Sequence, residues 1–89
     1  MAKVWLVGAG PGPADLMTVR AVRVLAAADI VFHDALIGDD VLALAPNAEK
    51  VAVGKRCGAH STSQRFINKR LADAARKYRN VVRLNHAHE

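Results

Sequence analysis

The sequence predicts an α/β fold: a mostly parallel sheet with helices on both faces. Four short apolar runs, at 3–7, 30–32, 50–53 and 81–84, read as strands, and the first lacks the alternation of a half-exposed strand and reads as buried on both faces. The segments between them carry helical spacing, so the elements alternate β-α-β-α-β-α-β. Right-handed crossovers turn that order into parallel pairing. The composition agrees, because 52% hydrophobic residues with only 4% aromatics suit helices layered on a buried sheet and argue against a disordered chain.

The first strand, KVWLV at 3–7, runs into a turn with glycine at 8, 10 and 12 and proline at 11 and 13. Asp15 is the expected N-cap of a helix over 15–28, with Leu16, Val19, Val22, Arg23 and Ala26 at helical spacing. The second strand, 30–32, ends in the polar pair His33 and Asp34. A short helix is expected over 38–45, where Asp39 and Asp40 complement the positive end of its dipole and Pro46 follows its end. Gly54 closes the third strand, and Ser61 with Gln64 forms a capping box for an amphipathic helix. That helix sets Phe66, Ile67, Leu71, Ala74 and Ala75 inward and gives Arg65, Lys69, Arg70, Arg76 and Lys77 to a basic outer face. The fourth strand, VVRL, brings the chain to the sheet edge where α/β ligands collect, so a fragment of something longer is expected.

Several function classes are excluded or disfavoured. No apolar run approaches the roughly 20 residues of a membrane span, and no secretory leader is visible, so a cytoplasmic protein is expected. Cys57 is the single cysteine, which rules out an internal disulfide. His60, His86 and His88 lack ligand spacing with a partner, and no metal is expected. The net charge of +5 favours an anionic partner without naming it. Aromatic side chains to stack bases are nearly absent from the basic helix, which argues against nucleic acid.

The glycines allow a ligand close to the main chain and the prolines stiffen the turn. Pro13 stands where a dinucleotide fingerprint has its third glycine, and no Gly-Lys-Ser/Thr follows, so neither nucleotide motif is met. Three features fall on one sheet edge: the turn at 8–13, His33-Asp34, and Gly54-Lys55-Arg56. Asp34 suits a base or a polar-ligand contact, and Lys55 a proton donor or carboxylate contact.

Five stretches, VWLVGAGPG, DLMTVRAVRVL, ADIVFHDALI, VGKRCGAHSTSQRFIN and VVRL, appear in this order. Together they resemble the N-terminal part of the tetrapyrrole methylases, and within them the uroporphyrinogen-III C-methyltransferases. The resemblance runs nearly without gap over 3–84. It implies a two-domain, homodimeric enzyme that uses S-adenosyl-L-methionine, releases S-adenosyl-L-homocysteine, and methylates uroporphyrinogen III at C2 and C7 to give precorrin-2 for siroheme and cobalamin. By position it implies a methyl-donor turn at Gly10, Pro11 and Gly12, a proton acceptor at Asp34 and a proton donor at Lys55. Arg56 is expected to meet substrate carboxylates, for which a guanidinium fork is well shaped.

The chain departs from the family in two places. Pro13 replaces the usual aspartate of the turn, and Asn85 to Glu89 stand where the family has a Lys-Gly-Gly-Asp-Pro motif. The expected organisation is therefore an N-terminal domain at 1–84 with a divergent tail at 85–89 and no second domain, inactive by itself. The rival readings are another tetrapyrrole or RNA methylase, a non-catalytic basic module, and a self-associating fragment.

Overall fold

A computed structural model describes residues 2–9, 17–53 and 63–86. Seven elements follow the expected order: β1 (Lys3–Ala9), α1 (Val19–Ala26), β2 (Ile30–His33), α2 (Asp39–Leu42), β3 (Glu49–Ala52), α3 (Ser63–Ala74) and β4 (Asn80–His86). The strands form one sheet in the order β1-β4-β2-β3, and every pairing is parallel. The last strand is thus inserted between the first two. Val81, Val82 and Leu84 are fully buried, each contributing about 1.5–3 kcal/mol of hydrophobic stabilisation.

Alternate residues along the strands face opposite layers. Val7, Ala9, Val31, Val82 and Leu84 pack with Ala21 and Leu25 of α1 and Val41 of α2. Ile30, Phe32 and Val81 face the other way, against Leu71 and Ala74 of α3. Helices therefore lie on both faces, but β1 is an edge strand whose Val4 and Leu6, 44% and 75% exposed, are left uncovered, so it is not buried on both faces as its unbroken apolar run predicts. Two edge strands remain, and Lys3 on β1, with its ammonium 5.7 Å from the Trp5 ring, sets a charge there that discourages edge-to-edge pairing.

Several boundaries differ from expectation. The helix cap is Thr18, not Asp15, because the Thr18 hydroxyl oxygen accepts from the Ala21 N–H at 3.0 Å; Asp15 lies outside the described residues. With the helix starting at Val19, Ala21 and Leu25 form the inward stripe, and Val19 faces solvent. The helix expected over 38–45 contracts to Asp39–Leu42, followed by tighter bonds such as Leu44 N–H to the Val41 carbonyl at 3.0 Å. α3 stops at Ala74, where the Lys77 and Tyr78 N–H groups both converge on the Ala74 carbonyl, at 2.9 and 2.8 Å. The capping pair Ser61 and Gln64 is not tested, since Ser61 lies outside the described residues. Arg70 does not join an outer basic face, because its guanidinium lies 5.5 Å from the centre of the buried Phe32 ring. β4 runs past the expected end to Asn85 and His86, which pair with Gly8 and Ala9.

At the N-terminal end of the strands, Asp29 fixes the register. Its N–H donates to the Asn80 carbonyl, its carboxylate accepts from the Asn80 N–H, and its carbonyl accepts from Glu49 N–H, at 2.9, 2.9 and 3.0 Å. Nearby, the Tyr78 hydroxyl donates to Glu49 at 2.8 Å and ties the exit of α3 to β3.

Two outcomes follow from this packing. Leu25→Ala removes a fully buried side chain and should lower the unfolding free energy by about 2–5 kcal/mol in urea titrations. The Tyr78 phenol is held above its ordinary 10.0 chiefly by the hydrogen bond to Glu49, then by burial and the carboxylate charge. Glu49→Ala should therefore move the tyrosinate absorbance transition to lower pH, read without interference because Tyr78 is the single tyrosine.

Candidate active site at the carboxyl edge of the sheet

β2 and β3 are neighbours, yet the chain leaves β2 for α2 on one face and β3 for α3 on the other. In an open α/β sheet, ligands usually bind beyond the carboxyl strand ends where neighbouring connections diverge in this way. Asp34 immediately follows β2 and stands at this edge. Its main chain is anchored on both sides: its N–H points to the Leu84 carbonyl at 3.4 Å, and its carbonyl accepts from Ile37 N–H at 3.2 Å. His33 supports the same turn, its Nδ1 donating to the Asp34 carbonyl at 3.0 Å; because a carbonyl only accepts, Nδ1 carries the proton. Val53 N–H donates to the His33 carbonyl at 2.8 Å, so the end of β3 is fixed against the end of β2.

The feature that sequence reasoning missed is Arg83. Its Nη2 donates to Asp34 Oδ1 at 2.8 Å, and its side chain is 10% exposed against 27% for Asp34. Nη1 donates to the Leu84 carbonyl at 3.1 Å, with a longer contact to the Phe32 carbonyl at 3.4 Å. In sequence, Arg83 interrupts an apolar strand, VVRL, and an arginine in a central strand requires a buried acceptor. That interruption was the available signal.

Of the other expected site residues, Gly10, Pro11, Gly12, Lys55 and Arg56 lie outside the described residues. The strand ends that lead to them are described: Gly8 and Ala9 of β1 pair with Asn85 and His86 of β4, and among the described residues nothing lies within 4 Å of a Cβ built on Gly8. Gly8 is exposed at the root of the glycine-rich turn. A groove of about 240 Å³, lined by Ile30, Phe32, Glu49 and Tyr78 among others, reaches the opposite, amino end of the strands and is separate from this edge. Among the described residues no group of three or more His, Cys, Asp or Glu side chains gathers to hold a metal ion.

Residues 3–86 match the family profile of the Tetrapyrrole (Corrin/Porphyrin) Methylases. The chain belongs to this family. It is 51% identical over 82 residues to the uroporphyrinogen-III C-methyltransferase of Pseudomonas aeruginosa, covering 92% of this chain and 34% of that protein. It is 48% identical over 83 residues to the siroheme synthase of Nitrosococcus oceani, covering 92% of this chain and 18% of that protein. The crystal structure of the uroporphyrin-III C-methyltransferase of Thermus thermophilus complexed with S-adenosyl homocysteine superposes with a TM-score of 0.79 at 44% identity, over 97% of this chain and 36% of that one. The chain therefore spans about a third or less of the length of these relatives.

The ion pair carries a stability consequence. Asp34→Ala leaves the buried Arg83 fork without its carboxylate and should cost about 1–3 kcal/mol. Asp34→Asn, which keeps an oxygen acceptor, should cost less, and urea unfolding of the two variants checks the order.

Proposed function

We propose that this chain is the N-terminal third of an S-adenosyl-L-methionine-dependent uroporphyrinogen-III C-methyltransferase that makes precorrin-2 for siroheme or cobalamin synthesis. The observation that carries the reading is the 51% identity to the Pseudomonas aeruginosa enzyme across nearly the whole chain. The exposed Gly8 and the adjacent ends of β1 and β4 fit a ligand held against the turn at Gly10, Pro11 and Gly12. When bound, S-adenosyl-L-methionine supplies an electrophilic methyl group on a sulfonium. The chain's own residues then align the substrate and move protons, which needs geometry and acid–base groups.

In this reading Asp34 accepts the proton lost from the methylated tetrapyrrole, and Lys55 donates one. Asp34 suits that part because it stands at the carboxyl edge of the sheet, its N–H facing the Leu84 carbonyl of β4 and its carbonyl accepting from Ile37 N–H within its own turn. Arg56 and the net positive charge favour the polycarboxylate substrate. A cytoplasmic homodimer is the assembly the reading implies, with no membrane or nucleic-acid partner, and 89 residues by themselves should not turn over.

The test is a chimera in which residues 3–86 replace the matching segment of the Pseudomonas aeruginosa enzyme. Labelled methyl transfer to uroporphyrinogen III, with precorrin-2 as product, is the expected result. Asp34→Asn in this chimera should lower kcat by about 10²–10⁴-fold, the usual contribution of a positioned general base. A chimera that binds S-adenosyl-L-homocysteine but transfers no methyl group would overturn the reading.

A further inference from the structure

We infer that Arg83 is a positioning residue for the methyl-transfer site, orienting the Asp34 carboxylate from behind; this rests on the reading of Asp34 as proton acceptor. The two side chains differ in depth: Arg83 is 10% exposed and Asp34 27%. Arg83 therefore lies beneath the carboxylate and is not placed to meet the substrate itself. Its guanidinium is oriented by main chain, because Nη1 is held by the Leu84 carbonyl at 3.1 Å and lies 3.4 Å from the Phe32 carbonyl, on two adjacent strands. The planar fork then fixes the direction of Nη2, which meets Asp34 Oδ1 at 2.8 Å.

Asp34 is referenced to β4 twice, through this contact and through its own N–H facing the Leu84 carbonyl. A displacement near 1 Å at a reacting group can cost about 10²-fold in rate, so a contact that fixes the direction of this carboxylate bears on turnover. Stability does not by itself account for the arrangement: an apolar side chain of similar size at a buried ion pair is often neutral or stabilising. What a cation adds here is direction.

The experiment is steady-state kinetics on the chimera carrying Arg83→Met, Arg83→Gln, Asp34→Asn and each double substitution, with S-adenosyl-L-homocysteine affinity and thermal midpoint measured in parallel. Arg83→Met, which refills the buried volume, guards against a variant that merely fails to fold. Expected is a fall in kcat of about tenfold or more in both Arg83 variants, with KM and S-adenosyl-L-homocysteine affinity within about twofold. In the Asp34→Asn background the same Arg83 substitutions should change kcat by less than about twofold, because the group they orient is gone. Full kcat in a folded Arg83→Met variant, or an Arg83 loss that is undiminished in the Asp34→Asn background, would overturn the inference. Should Asp34→Asn itself keep full kcat, the proton-acceptor reading falls and takes this one with it; if Asp34→Asn is crippled while Arg83→Met is not, only the present inference falls.

Discussion

The insertion of β4 between β1 and β2 is the constraint on which the rest of the structure depends. Lys3–Ala9 and Ile30–His33 are not neighbours; the first pairs with Asn80–His86, and the second lies between that strand and Glu49–Ala52. The strand that completes the sheet comes last in the chain, so most of its pairing closes long loops before any contact rewards them. The burial of Val81, Val82 and Leu84 on two faces supplies the compensating free energy.

A central strand buried on both faces tolerates slippage poorly, since a shift of one residue exchanges its two faces. Here the apolar residues alone do not fix the register, because Val81 and Val82 are near-equivalent in size and a slipped strand would still offer valine to each side. The polar locks at both ends decide it. Asp29 grips Asn80 at the amino end, and Asp34 grips Arg83 at the carboxyl end, so β2 and β4 are held at two separated points by contacts that a slipped register would break.

The element order, the parallel pairing and the two helical layers were legible in the sequence because each rests on a local period: short apolar runs for strands, three-to-four-residue spacing for helices. Boundaries were less legible. Asp15 and Thr18 both offer a capping oxygen, and only the position of the Ala21 N–H selects Thr18. The end of α3 was overrun because Arg76 and Lys77 are good helix formers, while the chain needs Ala74 to Asn80 to turn back into the central strand. Asp34 could be named from its place at a strand end, whereas its partner lies 49 residues away, a separation no local pattern reports.

Because β1 meets β2 only through β4, the candidate site is not a local structure that the β2 turn forms unaided. Without β4 the turn at Asp34 would keep its bond to Ile37 but lose the Leu84 carbonyl, the Arg83 fork and the strand that brings Gly8 and Ala9 alongside. Arg83 likewise would have no reason to be buried, and an unpaired guanidinium would resist entering the sheet. Each half of the pair thus requires the other and both require the completed sheet, so the ordering of Asp34 at the carboxyl edge is an all-or-none consequence of the final strand entering its place.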